Sequence, residues 1–195
     1  MWIRYQKKKK NKTIKKKKGF YCDYLTGKGA NVISIDNSPT MIEITKNRVP
    51  KAKVIQADMN DPLDFIKEET IDIILAPLSI HYIKNWEILF KELSKRLKKN
   101  GVFIFSTHNP HWETERLKVD YFDRVLIHDY WEGIGTVSYY HHTLSDILNS
   151  LSVNGFRVDK FLEPFPSKEI QINDPKLFQL LSKKSLFLFV RAIKF

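Results

Sequence analysis

A doubly wound α/β domain with a mostly parallel sheet is the fold class this sequence predicts, on three observations. Between residues 29 and 61, two short β-branched runs (31–35 and 53–57) flank a segment in which Met41, Ile42, Ile44, Thr45 and Val49 recur at helical spacing. Farther on, residues 71–76 and 102–106 are near-continuous apolar runs, the pattern of strands buried on both faces. Between those two lies an amphipathic stretch, residues 86–97, with Trp86, Leu89, Phe90, Leu93 and Leu97 at three- and four-residue steps. Strands alternating with helices imply a parallel sheet covered on both faces.

In chain order, residues 1–18 read as a separate tail. The formal net charge is +11, but ten of the 33 Lys and Arg lie in this stretch with no acid, so 23 basic residues face 22 acidic ones in the remainder. Basicity therefore belongs to a lysine-rich tail expected to be disordered, and residues 19–195 form one nearly neutral domain. A neutral domain speaks against a nucleic-acid partner, whose phosphates would select a basic surface. The single cysteine, Cys22, excludes an intramolecular disulfide and fits a reducing compartment. No apolar run is long enough for a membrane span, so a cytoplasmic protein is expected.

Phe20, Tyr21, Tyr24 and Leu25 share a helical face that Gly27 or Gly29 would close. Ser38-Pro39 is a helix start, since proline loses nothing in the first turn. Residues 62–67 predict a short helix or turn, and Asn100-Gly101 the end of the helix that begins at Trp86. Residues 108–142 break the rhythm with Trp112, Tyr121, Phe122, Tyr130, Trp131, Tyr139 and Tyr140, and are expected as a long irregular insertion, either a lid or core-packing aromatics. A helix over 144–154 and strands over 156–161 and 186–193 follow; the segment between these strands is too short for a regular crossover, so the last strand is expected to run antiparallel.

The chemistry gathers at two acids. Parallel strands joined by a crossover helix place both C-terminal ends on one sheet edge, so Asp36 and Asp58 should share a crevice. There one carboxylate can accept both hydroxyls of a ribose and the other the exocyclic amine of an adenine. Both are also ordinary turn residues, and that reading stands beside the first. No metal-ligand spacing and no serine or cysteine nucleophile motif is present. A short-chain dehydrogenase would need a Tyr-x-x-x-Lys pair late in the domain, but that spacing occurs only at Tyr5/Lys9 and Tyr24/Lys28.

This order of parts resembles the class I S-adenosylmethionine-dependent methyltransferases, in particular the broad small-molecule group. The resemblance is carried by Gly19-Phe20-Tyr21 with Leu25, VISIDNSPTMI at 32–42, QADMND at 56–61, DIILAPLSIHYIKNW at 72–86, KNGVFIFSTHNP at 99–110, YYHHTLSDILNSLSVNGF at 139–156 and LFLFVRA at 186–192. It implies a Rossmann-like seven-stranded sheet with an antiparallel last strand, S-adenosylmethionine as cofactor and a small-molecule methyl acceptor. The cofactor-binding set it implies is Gly19, Asp36, Asn37, Asp58, Met59, Pro77 and Leu78: the acid at 36 on the ribose, the acid at 58 and the backbone of Met59 on the adenine, Pro77 and Leu78 along the methionine part. His81, just past the fourth strand, is the candidate for substrate contact or general base, with His108 next. The departure lies at the start. Family members open with a buried strand and a glycine-rich turn, whereas NKTIKKKK at 11–18 occupies that position and Gly19 is the last glycine left. Buried lysines there would cost several kcal/mol each, so the first strand is expected to be absent or aberrant. Either the protein is degenerate, a non-catalytic remnant with impaired cofactor binding, or a reading-frame error lies upstream of Gly19. Acceptor atom and oligomeric state are left open.

Overall fold

The computed structural model describes residues 2–4, 19–131 and 135–195. Its elements are β1 (Trp2–Arg4), α1 (Phe20–Gly27), β2 (Asn31–Asp36), α2 (Pro39–Arg48), β3 (Lys53–Gln56), β4 (Ile71–Pro77), α3 (Trp86–Arg96), β5 (Leu97–His108), α4 (Pro110–Leu117), β6 (Leu126–Trp131), β7 (Gly135–Tyr140), α5 (Leu144–Val153), β8 (Phe156–Leu162), α6 (Lys168–Asn173), α7 (Pro175–Lys183) and β9 (Phe187–Lys194). Seven strands form one sheet in the order β3-β2-β1-β4-β5-β9-β8. β2 pairs parallel with β3 and β4 with β5, while β9 lies antiparallel to both β5 and β8.

Alternation along the strands sorts the core onto two faces. Ile74 and Ala76 of β4 look toward α3 and α5, in a cluster with Leu89, Phe90, Leu93, Ile147 and Leu151. Leu75 looks the other way, against Cys22, Val32 and Val49 beside α1 and the end of α2. The first face is the larger, with the rings of Phe90, Phe103 and Phe105 packed in tilted and edge-on contacts at centroid separations of 4.8–5.7 Å. Each fully buried side chain of this size contributes about 1.5–3 kcal/mol. The caps agree with the sequence: Ser38, Asn85 and Thr143 accept from backbone N–H groups of α2, α3 and α5, and Pro39 opens α2.

Three expectations need correction. The central slot between β2 and β4 is filled by Trp2–Arg4, three residues running antiparallel to both neighbours, with Ile3 opposite Val32 and Ile73. The aberrant strand is thus an out-of-direction one, and a tail drawn at 1–18 gives up Trp2–Arg4 to the sheet. The lysine runs between residues 7 and 18, and the disorder expected of them, lie outside the described residues. Second, the α3 helix ends at Arg96, ahead of Asn100-Gly101, and Leu97 already pairs with Ile71. A bulge follows, with Asn100 at φ 61° and a Gly101 whose added Cβ would stand 2.7 Å from the Lys98 carbonyl. The asparagine and glycine there serve a β-bulge and not a helix end. Third, the insertion is regular: α4, then a two-stranded hairpin of β6 and β7 in its own sheet.

Candidate functional site

Beyond the C-terminal ends of β2, β3 and β4 lies a cavity of about 750 Å³, within the range of ligand-sized pockets. Gly19, Asp36, Asn37, Asp58, Met59, Pro77 and Leu78 all line it, with Tyr82 and Ile83 at the far wall. Asp36 Oδ1 accepts from the Ser38 N–H at 3.0 Å, and Asp58 Oδ1 accepts from the N–H and the side-chain amide of Asn60, both at 2.8 Å. These are turn bonds, so the bland reading of both acids is correct as far as it goes. Each uses one oxygen only and leaves the other without a hydrogen bond among the described residues. One carboxylate therefore shapes its turn and keeps an acceptor for a ligand.

The helix α1 starts at this cavity with Gly19 as its cap, at φ 74° and with no side chain capping the first turn. Its first N–H groups face the ligand space, where partial positive charge gathers at a helix N-terminus. Gly19→Ala meets two obstacles there: the left-handed backbone, and Thr45 Oγ1 at 3.3 Å from the new Cβ. We expect about 1–2 kcal/mol of destabilisation, read as a fall of about 2–8 °C in the unfolding midpoint by differential scanning calorimetry. An unchanged midpoint would mean that this turn is not held as described.

Leu78 was legible as a lining residue but not as a strained one. It sits at φ 46°, and its N–H is shared between the Ser106 carbonyl and Ser106 Oγ, both at 3.0 Å. A left-handed non-glycine residue costs about 1–3 kcal/mol and tends to mark a ligand site. The bend throws Leu78 and Tyr82 outward, at 42% and 41% exposure, so the cavity mouth is apolar.

His81 does not line the cavity. It stands one ring behind the wall, 4.3 Å from the Tyr82 ring, buried, with neither ring nitrogen hydrogen-bonded. Burial, reinforced by His108 stacked at 4.4 Å, lowers its pKa to about 3, so it is a neutral imidazole at any physiological pH. Ser79, in the cavity wall, likewise has a buried hydroxyl without a partner.

Behind this pair stands a cluster that the sequence did not disclose. Glu113 of α4 takes His108 Nδ1 on one carboxylate oxygen at 3.0 Å and His141 Nδ1 on the other at 2.7 Å. His141 Nε2–H donates to the Tyr121 carbonyl at 3.1 Å. That carbonyl can only accept, so Nε2 carries a proton, and the Nδ1 contact makes the ring an imidazolium against Glu113. Burial is the largest single influence and would lower the His141 pKa, but the Glu113 hydrogen bond, the Tyr121 carbonyl and the nearby carboxylate charges together outweigh it and the value is raised. Burial would raise Glu113, and hydrogen bonds from His108 and His141 bring it below its usual range instead. One helical turn on, Arg116 pairs with Asp129, which also accepts from Trp131 Nε1 at 2.7 Å. The α4 helix thus carries two charged side chains that pin the β6–β7 hairpin over the histidines. His108 and Glu113 are five positions apart, and among the charges of HWETER nothing in the sequence marks which one turns inward.

This is a Rossmann-like enzyme fold with a nucleoside-sized cavity at the strand ends. Its relatives make the class specific. The family described as "Methyltransferase domain" matches residues 17–105. An uncharacterised protein of Haemophilus influenzae is 28% identical over 192 residues, spanning 88% of this chain and 75% of that protein. A ubiquinone biosynthesis O-methyltransferase of Pelagibacter ubique is 33% identical over 82 residues, 42% of this chain but only 34% of that enzyme. Among solved structures, one described as an S-adenosylmethionine-dependent methyltransferase from Listeria monocytogenes superposes with a TM-score of 0.79 at 26% identity, over 90% of this chain and 85% of that one. Residues 17–105 thus match a methyltransferase domain, and the fold of the chain is that of solved S-adenosylmethionine-dependent methyltransferases. Among the described residues no helix is long and apolar enough to cross a membrane, and no group of three or more His, Cys, Asp or Glu could hold a metal ion.

Proposed function

We propose that the chain methylates a small molecule, with Asp36 and Asn37 on the donor's ribose, Asp58 and the Met59 backbone on its adenine, and Gly19, Pro77 and Leu78 along its methionine part. The observation that supports this most is the pair of carboxylates in one cavity, each with a spare oxygen. The donor supplies an electrophilic methyl group carried on a sulfonium. The chain's own residues supply binding and orientation: acceptors for the nucleoside, an uncapped helix start, and an apolar mouth at Leu78 and Tyr82 that excludes water. The acceptor enters past Tyr82, with His81 neutral and buried one ring behind that wall. Nucleic acid is not the acceptor in this reading, because the domain outside the tail is nearly neutral, and the one free cysteine suits the cytoplasm.

A second reading has its own observation. A three-residue antiparallel β1 and the loss of every motif glycine but Gly19 favour a remnant with a weakened cofactor site. Calorimetric titration with S-adenosylhomocysteine separates the two. We expect saturable binding well below about 1 mM; no heat at that concentration would leave the remnant.

A further inference from the structure

Two helices near the C-terminus, α6 and α7, contain no buried residue, although they carry Ile170, Ile172, Leu177, Phe178, Leu180 and Leu181. They follow β8, which runs parallel to β5 because each is antiparallel to β9, so they leave the sheet at the edge that holds the cavity. At 3.6 residues per turn the side chains of α7 sort onto two sides. Phe178, Leu181 and Ser182 are half-buried on one, with the Phe178 ring 6.0 Å from that of Phe165. Lys176, Leu177, Leu180 and Lys183 fall on the other, within about a third of the helix circumference, and all four are exposed. Leu177 and Leu180 keep 39% and 38% of their surface open. Inward packing is taken by Phe178 and Leu181, so the outward leucines, flanked by two lysines, are not core residues.

We infer that this outward face of α7 docks on an anionic lipid surface, with Leu177 and Leu180 set into the acyl-chain boundary and Lys176 and Lys183 on headgroup phosphates. Charge selects this occupant over others. A second copy on a two-fold axis would bring the same lysines together, and a purely apolar partner would strip water from two ammonium groups without replacing it. A headgroup layer accommodates both kinds of side chain: the leucines sink by about 5 Å, while the lysine stems lie along the apolar boundary and their ends reach phosphate. Attraction at longer range comes from the whole chain, whose formal net charge is +11. Of the nearby acids, Asp174 is engaged as the α7 cap, accepting from the Leu177 N–H at 2.9 Å. Glu169 lies on α6, so α7 carries the contact and α6 forms its rim. The face is separate from the nucleoside cavity and does not depend on what is methylated there.

The test is co-sedimentation of the full chain with vesicles of two parts phosphatidylcholine to one part phosphatidylserine, and with vesicles of phosphatidylcholine alone. The mixed vesicles should bind the chain about tenfold more strongly, and added salt should reduce the difference. Leu177→Gln combined with Leu180→Gln keeps every charge and should weaken binding to the mixed vesicles about tenfold, since two half-covered leucines no longer leave water. Lys176→Gln combined with Lys183→Gln should weaken it by a similar factor. All four side chains are exposed, so both variants should unfold at the wild-type midpoint. Should either fail to fold, amide hydrogen exchange of the wild type decides: the mixed vesicles should slow exchange in α6 and α7 and leave α3 unchanged. No binding to the mixed vesicles, or exchange that they leave unaltered in α7, overturns the docking face. Binding that the leucine substitutions leave at the wild-type level also overturns it and assigns the attraction to the lysine-rich start alone. A concentration-dependent dimer in light scattering that the same substitutions dissolve gives the face to a second copy and overturns the lipid reading.

Discussion

Glu113→Gln should destabilise the protein by about 3–5 kcal/mol, the cost of removing one partner from a buried ion pair. The carboxylate is 4% exposed and has a protonated ring nitrogen on each oxygen. An amide can accept from only one of them and presents a donor to the other. His141 is held by Tyr121 on its far side, so His108 is the ring that must change tautomer, with Nε2 becoming the donor. The substitution therefore loosens the hairpin's anchor and reverses the polarity of the histidine pair.

The pH dependence gives this prediction a signature that simple loss of packing would not show. Glu113 titrates below its ordinary 4.5 in the folded chain, so its contribution is full above about 4.5 and is lost as pH falls through the lower folded value. His141 titrates above its ordinary 6.5, so its contribution is full below about 6.5 and is lost as pH rises through the higher folded value. The stability difference between wild type and Glu113→Gln should be greatest between about 4.5 and 6.5 and shrink on either side. Urea unfolding across pH 4 to 9 measures it. A difference that is flat with pH, or below about 0.5 kcal/mol throughout, would mean that no ion pair is there.

How much of this was legible follows from where each signal is stored. The succession of strands and helices along the chain and the residues at the strand ends were readable because they depend on local pattern: β-branched runs that stop at Asp36 and Asp58, a helix opened by Ser38-Pro39, and a buried run ending at Pro77. The seven lining residues come from four chain segments, yet each lies at a strand end or helix start that the pattern already located. The His108–Glu113–His141 cluster depends on which face of α4 turns inward, and that is settled by tertiary packing against the hairpin. With Glu113, Glu115 and Arg116 within four positions, charge spacing alone cannot choose. Asn100-Gly101 misled for a related reason, since asparagine and glycine supply a left-handed turn to a helix end and to a β-bulge alike. The aberrant first strand could be expected from lysines that no buried strand tolerates, but Trp2–Arg4 as the substitute, and its reversed direction, could not. The slot must be hydrogen-bonded on both sides whatever fills it, and residues 1–3 are the one run of consecutive apolar residues ahead of Gly19.

Asp36→Asn carries the largest expected effect on ligand binding. Asparagine keeps the oxygen that accepts from the Ser38 N–H, so the turn at the end of β2 survives. What changes is the second position, where an acceptor for two ribose hydroxyls becomes an amide donor. Hydrogen bonds to a charged group contribute about 1.5–3 kcal/mol, so S-adenosylhomocysteine should bind roughly 10- to 150-fold more weakly. Asp58→Asn should cost less, because the Asn60 turn holds its first oxygen with two bonds and the ligand gains only one. Asp61→Asn, beside the cavity but not lining it, is the control and should leave affinity within twofold. All three variants should unfold at the wild-type midpoint, which separates lost contacts from lost structure. Calorimetric titration at fixed pH and salt reads the series. If Asp36→Asn binds S-adenosylhomocysteine as tightly as wild type does, the nucleoside does not rest on that carboxylate and the residue's only task is its turn; if Asp61→Asn loses as much as Asp36→Asn, the effect is general electrostatics and no specific contact is measured.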